Sequence, residues 1–128
     1  MQVEQVDFVS VPTRDYARAI AWYRDVLGLE PNPLASDEWP EFETSNVTLG
    51  VHTPDQTGDP FKASDYAIAL RVSDVADSMS RLQAARVEFQ FPEMYDSSVC
   101  HMAFFADPDG NRLMLHHRYA PYRDGSLP

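Results

Sequence analysis

Short runs of alternating apolar and polar residues, and two longer stretches of helical period, organise this chain. Residues 5–11 alternate in the way that is typical of a half-buried strand. The next stretch places apolar residues three or four positions apart, which predicts an amphipathic helix. Those residues are Tyr16, Ile20, Tyr23 and Leu27. Thr13 or Asp15 can cap the start of this helix, and Gly28 can end it.

Three short strands are predicted after the first helix. They lie around residues 29–34, 39–44 and 47–52, with a turn at Ser45 and Asn46 between the last two. Residues 53–64 contain two prolines, a glycine and no periodic pattern. We therefore expect residues 53–64 to be a linker.

The same order of elements then begins again. Residues 66–72 predict a strand, and Ser73 and Asp74 begin a second predicted helix. Its apolar stripe is Val75, Met79 and Leu82. A turn at residues 107–111 precedes the last strand, and we expect the tail, residues 119–128, to fray from Ala120 onward. The predicted strands of this half lie around residues 87–91, 99–105 and 112–118.

Two short stretches of similar pattern recur at matching places in the two halves, so the chain contains an internal repeat. Residues 8–11 correspond to residues 67–70, and residues 49–52 correspond to residues 113–116. We predict an α+β fold of two βαβββ modules, over about residues 5–52 and 65–118. A single domain spanning residues 1–128 would then share one core beneath a cupped mixed sheet.

Composition narrows the functional classes. A net charge of −10 over 128 residues disfavours nucleic acid and anionic membranes, which are bound mainly through lysine and arginine. Such a charge either steers cationic ligands or serves only solubility. No apolar run approaches the ~20 residues that span a bilayer, and residues 1–4 lack a signal-peptide pattern. Together with a single cysteine, Cys100, these features predict a cytoplasmic protein.

Several runs of sequence resemble the vicinal oxygen chelate family, which includes glyoxalases, bleomycin-resistance proteins and extradiol dioxygenases. The first half carries FVSVPTRD and AWYRDVLGL, at residues 8–15 and 21–29. The second half carries ALRVSDV and FFADPDGNRL, at residues 69–75 and 104–113. The resemblance covers residues 5–118 and implies the two-module fold. It leaves the activity open, because one such scaffold hosts several reactions as well as plain binding.

The resemblance also implies four metal-ligand positions, one in the first strand and one in the last strand of each half. Metal-using members carry His, Gln or Glu there, and in this chain the positions fall at Phe8, Gly50, Ala67 and Met114. The first three have no donor atom, and a thioether is a poor ligand for the harder ions. We therefore predict no metal and no cofactor, and a cup that is lined by apolar side chains.

Histidines are the main polar candidates for the cup. Side chains alternate along a strand, so His52 and His116 share the side of Gly50 and Met114, whereas His117 points the other way, towards the surface. His101 joins them only if its strand has the matching register. The histidine pair can line a binding pocket, act as acid and base, or hold a divalent metal displaced from the family position.

Aromatic and apolar side chains supply the predicted walls of the cup. The candidates are Phe8, Trp39, Phe105 and Met114, and Trp39 leads because it lies in a polar loop that enters a strand. Residues 93–98 form either a mobile flap over the cup or a plain connection. Asp107 and Asp109 lie in a Pro-Gly setting, which favours a turn over carboxylate chemistry.

These features together predict a metal-free small-molecule binding protein of the bleomycin-resistance type, which binds an aromatic or cationic compound in the cup. The alternative is a lyase, isomerase or dioxygenase of the same fold, using a divalent metal or histidine acid–base chemistry. A third hypothesis is a regulatory subunit whose pocket is vestigial. We also predict a homodimer. The predicted ligand contacts are Phe8, Trp39, His52, His101, Phe105, Met114 and His116.

Overall fold

The computed structural model describes residues 1–54 and 58–128, so part of the predicted linker, residues 55–57, lies outside the described residues. The described backbone divides into two compact units, which we call unit 1 and unit 2. Unit 1 consists of Met1–Ser64 with Pro108–Asn111, and unit 2 consists of Asp65–Asp107 with Arg112–Pro128. In chain order the elements are β1 (Phe8–Pro12), α1 (Tyr16–Asp25), β2 (Glu41–Phe42), β3 (Thr48–His52), β4 (Ile68–Arg71), α2 (Val75–Ala84), β5 (Tyr95–Asp96), β6 (Cys100–Ala106) and β7 (Arg112–Arg118).

Each unit contains one mixed sheet, and the parallel strand pairs of the two sheets have equivalent register. The order is β1-β3-β2 in unit 1 and β4-β7-β6-β5 in unit 2. The first and last strands of each half pair in parallel, with Ser10 opposite Gly50 and Ala69 opposite Met114. These pairs occupy the same places in the sequence repeat, so the predicted internal repeat and the α+β fold are confirmed.

Both helices begin at an aspartate and pack an apolar side against their sheet. The Asp15 carboxylate accepts the Arg18 N–H at 3.1 Å, and the Asp74 carboxylate accepts the Asp77 N–H at 2.9 Å. Of the predicted stripes, Tyr23 in α1 and all three residues in α2 are buried. In the described part of the chain, neither helix is long and apolar enough to cross a bilayer.

The helix ends differ between the units. Gly28 follows α1 with a φ of +70°, a conformation that glycine adopts without steric cost. The chain leaves α2 through Arg86, whose φ is also positive, at 65°. A non-glycine residue pays for that conformation, so the two ends are unequal in strain.

Large apolar side chains fill a core inside each unit. In unit 1, Tyr23 and Phe42 have no exposed surface, and their ring centroids lie 5.4 Å apart. In unit 2, Leu113 is fully buried and Leu115 is 3% exposed. Burying one such side chain contributes about 1.5–3 kcal/mol, so these positions dominate the stability of each unit.

Two predicted strands are wrong, and the predicted fraying of the tail stays a prediction. Residues 29–34 reduce to one bridge between Pro31 and Phe42, because the chain turns at Asn32, whose oxygens accept the Leu34 and Ala35 N–H groups. Residues 87–91 likewise reduce to one bridge, between Phe89 and Phe105. The start of the tail is held by the guanidinium of Arg118, which donates to two tail carbonyls at 2.9 Å.

Candidate functional site

The sheet of unit 2 has one side covered by α2 and one side that we call the open face. Leu113 and Leu115 of β7 are buried beneath α2, whereas Met114 between them and His116 after them are only partly buried. Because side chains alternate along a strand, Met114 and His116 point to the open face. The structure therefore brings these two predicted ligand contacts together.

Two rows of side chains cross the open face of unit 2. Direct register partners on neighbouring strands share a face and lie side by side. The first row crosses all four strands and consists of Arg71, His116, Met102 and Tyr95. The second row consists of Ala69, Met114 and Phe104. Phe91 extends the second row, with its ring centroid 6.4 Å from that of Phe104.

The expectation that Phe105 and His101 share this face is wrong. Phe105 pairs with buried Leu113, is 5% exposed and packs its ring 5.4 Å from that of Phe89. His101 pairs with His117, so it too points away from the open face. Phe104 occupies the predicted place of Phe105. The turn at residues 107–111 carried the signal, because it fixes which residues of β6 and β7 face each other.

Unit 1 has an open face of smaller and more polar residues. Leu49 and Val51 are buried, and the residues between and after them, Gly50 and His52, lie on the opposite side with Phe8. Phe8 is 63% exposed. The rest of this face consists of Ser10, Glu41 and Thr48. Phe8 and His52, both predicted ligand contacts, therefore share one face within unit 1.

Trp39 lies just before the edge strand β2 of unit 1. Its side chain is 52% exposed, and its backbone N–H closes a turn on the Ser36 carbonyl at 3.0 Å.

The predicted flap at residues 93–98 is partly regular in unit 2, since residues 95 and 96 form β5 on the edge of the sheet. Tyr95 in that strand is 58% exposed.

His52 and His116 occupy equivalent backbone positions in the two units. The His52 carbonyl accepts the Thr13 N–H at 2.8 Å, and the His116 carbonyl accepts the Val72 N–H at 3.0 Å. Within the described residues, Nδ1 of His52 is buried without a hydrogen-bond partner. A buried imidazole nitrogen in that condition is costly unless something completes its bond.

His117 differs from its predicted surface location. It is partly buried in unit 2, and its Nδ1 lies 2.9 Å from the Val72 carbonyl oxygen. That contact holds the junction between β4 and α2. His117 therefore has a structural contact on the side of the sheet away from the open face.

A polar cluster joins β5, β6 and the chain after β7. The Tyr119 hydroxyl donates to the Asp96 carboxylate at 2.7 Å, and Nε2 of His101 lies 3.5 Å from its other oxygen. The hydrogen bond from Tyr119, followed by one from the Ser98 N–H, lowers the pKa of Asp96 below its ordinary 3.8. The same carboxylate raises the pKa of Tyr119 above 10.0. Cys100 contacts Ser97, with Sγ and Oγ 3.2 Å apart.

Asp109 is a buried structural acceptor in unit 1. Its side chain is 1% exposed and accepts from the Thr13 hydroxyl at 2.5 Å, the Arg14 N–H at 3.1 Å and the Arg18 guanidinium at 2.8 Å. Asn111, with no exposed surface, donates to the Pro12 carbonyl at 2.7 Å and accepts the Ser64 N–H at 2.9 Å. The predicted turn thus also secures the β1–α1 junction, which sequence spacing did not reveal.

The residues at the four implied metal positions do not fit a divalent ion. Phe8, Gly50 and Ala67 carry no donor, and the Met114 thioether suits soft ions only. No group of three or more His, Cys, Asp or Glu side chains suited to a metal occurs among residues 1–54 and 58–128. Within each unit, the open face holds one histidine, which alone cannot provide a coordination shell.

The fold is shared with many solved structures. TnmS3, an antibiotic binding protein from Streptomyces sp. CB03234, is 24% identical with a TM-score of 0.75, over 92% of this chain and 98% of that chain. A lactoylglutathione lyase from Agrobacterium tumefaciens is 17% identical with a TM-score of 0.72, over 90% and 94%. A superfamily member from Sphaerobacter thermophilus is 22% identical with a TM-score of 0.76, over 89% and 97%.

Sequence comparison assigns the family. No curated protein matches the chain significantly in sequence. The family model described as the Glyoxalase/Bleomycin resistance protein/Dioxygenase superfamily matches residues 5–115, which is most of the chain. The repeated register of the two sheets and the DPDGN turn agree with that match. The chain therefore belongs to the Glyoxalase/Bleomycin resistance protein/Dioxygenase superfamily.

Proposed function

We propose that this protein is a metal-free small-molecule binding protein of the bleomycin-resistance type, which binds an aromatic or cationic compound on its open sheet faces. The observation that carries the proposal is the lack of suitable metal-ligand atoms at the four implied metal positions. At the four positions where metal-using members place ligands, the chain has Phe8, Gly50, Ala67 and Met114. Side chains without hard donors favour binding over metal-assisted chemistry at this place.

The composition of the open face of unit 2 supports the proposal. Phe104 and Met114 form an apolar floor, and exposed Tyr95 and half-buried His116 offer polar contacts beside it. Small-molecule sites commonly combine an apolar lining with a few polar groups that orient the ligand. TnmS3, which shares the fold, is described as an antibiotic binding protein, and that description agrees with a binding role.

Thermal unfolding in the presence of planar aromatic and planar cationic compounds tests the proposal. A compound at about 100 times its dissociation constant adds about 2.7 kcal/mol to the stability of the folded state. We expect such a shift for at least one compound class and its reduction in Phe104→Ala. Ser80→Ala, on the exposed side of α2, is the control and keeps the full shift. A screen in which neither class stabilises the protein would contradict the proposal.

The alternative is an enzyme of this fold that uses histidine, and His52 gives it a specific basis. The buried Nδ1 of His52 has no partner within the described residues, so its hydrogen-bonding capacity is left unused there. Metal analysis of the purified protein distinguishes the two. A stoichiometric divalent ion that is lost on His52→Ala or His116→Ala would establish the alternative and refute the metal-free proposal.

The proposal includes a homodimer that works in the cytoplasm on a small-molecule ligand. Phe8 and Trp39, both more than half exposed in unit 1, are ligand contacts in this proposal. Sedimentation equilibrium measures the assembly directly. A protein that stays monomeric at all accessible concentrations would remove the dimer from the proposal and leave the ligand-binding role to be judged by the thermal screen.

A further inference from the structure

We infer that the open face of unit 2 selects planar aromatic ligands that carry a carboxylate, and that Arg71 and His116 bind that carboxylate. This inference rests on the proposed binding function and narrows it to one ligand class. The ligand charge that we infer is negative, whereas the overall charge of −10 would suggest a cationic ligand. The overall charge governs long-range steering, whereas selection depends on the groups that touch the ligand.

Arg71 is the first element of the argument. It ends β4, its side chain is exposed, and its position opposite His116 places it on the open face. Within the described residues, its guanidinium has no hydrogen-bond or ion-pair partner. By contrast, Arg18, Arg24 and Arg81 each bind an aspartate. An arginine that remains without a carboxylate in so acidic a chain is available to an external anion.

Geometry makes Arg71 and His116 a matched pair. They are register partners on adjacent parallel strands, so their backbones lie about 4.8 Å apart and their side chains project from the same face. A guanidinium presents a planar pair of N–H donors that matches the two oxygens of a carboxylate. The imidazole beside it can supply a further donor to the same anion.

The rest of the face fixes the body of the ligand. From Arg71, the first row continues through His116 and Met102 to Tyr95, a distance of about 14 Å over three strand spacings. Met114 and Phe104 form the neighbouring row. Methionine sulfur and aromatic edges favour contact with flat aromatic rings. A flat ring system that bears an acid group at one end fits a row with an arginine at one end.

Three matched probes test the inference on the full chain: anthracene carboxylate, its carboxamide, and the corresponding aminomethyl cation. Fluorescence titration gives a dissociation constant for each. We expect the carboxylate to bind about tenfold more tightly than the carboxamide, because charge-assisted hydrogen bonds exceed neutral ones by about that much. The cation is expected to bind most weakly, since it meets the like charge of Arg71.

Arg71→Gln is the decisive variant, because it removes the charge and keeps a polar, though shorter, side chain that can form hydrogen bonds. We expect it to lose the preference for the carboxylate and to keep its affinity for the carboxamide. Arg81→Gln makes the same change of net charge on the exposed surface of α2 and should retain the preference. Both arginines are exposed, so both variants should unfold close to the wild-type temperature.

The outcomes separate the inference from the proposed function. If the wild type binds the carboxamide or the cation as tightly as the carboxylate, or if Arg71→Gln keeps the preference, then the inference is overturned and the binding function stands. If Arg81→Gln loses the preference equally, overall charge is responsible and the inference again fails. If no probe binds the wild type at all, the binding function itself fails.

Discussion

Units 1 and 2 have the same backbone plan and different open faces. Their strands pair at equivalent positions, and equivalent leucines, Leu49 and Leu113, are buried in both. The open face of unit 1 carries Ser10, Gly50 and Thr48, whereas that of unit 2 carries Met102, Phe104 and Met114. In both units the side covered by a helix keeps buried apolar residues, whereas the residues of the open faces differ in size and polarity.

The junction between the first strand and the helix also differs. In unit 1, the buried Asp109 and Asn111 hold this junction through several side-chain hydrogen bonds. In unit 2, the contact of His117 with the Val72 carbonyl is the corresponding side-chain support. The same strand–helix geometry is therefore reached with a buried charge in one unit and an imidazole in the other.

Truncating the equivalent leucines sharpens the claim that the two cores are alike. Leu49→Ala and Leu113→Ala should each lower the free energy of unfolding by about 2–5 kcal/mol, because each leaves a cavity in a packed core. Urea denaturation measures both. Thr48→Ala, on the open face of unit 1, is the control and should cost less than about 1 kcal/mol. A large loss at one leucine and almost none at the other would break the equivalence.

Removing the two junction contacts tests the difference between the units. Asp109→Ala should cost about 3 kcal/mol, since it leaves the Thr13 hydroxyl and the Arg14 N–H without their buried acceptor. His117→Ala should cost about 1 kcal/mol, because it removes one hydrogen bond. Denaturation curves for both variants decide the matter, and equal losses would show that the junctions are held alike.

Adjacent phenylalanines on β6 separate the two sides of the sheet in unit 2. Phe104→Ala should weaken the binding of an aromatic ligand about tenfold, because it removes a ring from the open face. Phe105→Ala should instead lower stability, since that ring is buried against Phe89. Titration and denaturation of both variants are the measurements. An effect of Phe104→Ala on stability alone would contradict the assignment of faces.

The smallest expected effect concerns the Asp96 cluster of unit 2. A carboxyl whose pKa is lowered on folding stabilises the protein above its ordinary pKa of 3.8, and that contribution is lost as the pH falls through the folded value. Tyr119→Phe removes the largest cause of the shift. We therefore expect the variant to be less stable than wild type near neutral pH and to match it in strong acid. A difference that does not change with pH would assign Tyr119 to packing instead.

Local sequence signals predicted the helices and the last strand well. Asp15 and Asp74 begin the helices as expected, and β7 has the predicted bounds because the preceding turn fixes its start. The turn that begins at Asn32 removed a predicted strand, because its oxygens accept the Leu34 and Ala35 N–H groups. The apolar pattern favoured this region as a strand, but it does not indicate where the chain turns away from its partner strand.

The site was harder to predict because it depends on the register between strands and on contacts between distant segments. Alternation along β6 allowed either Phe104 or Phe105 to face the ligand, and only its register with β7 decides between them. Thr13 and Asp109 are 96 positions apart, so no local pattern could indicate their hydrogen bond. Arg71 was part of a family motif in the sequence, and only the placement of its neighbours shows that it has no partner among residues 1–54 and 58–128.

The shared register has a consequence for how such a chain can acquire new specificity. The parallel pairs β1–β3 and β4–β7 repeat the same backbone positions, and His52 and His116 are held by equivalent backbone hydrogen bonds. A substitution on the open face of one unit therefore leaves the side chains of the other open face unchanged. New specificity can arise through substitutions on one open face at a time, while the buried residues that hold both sheets together stay the same.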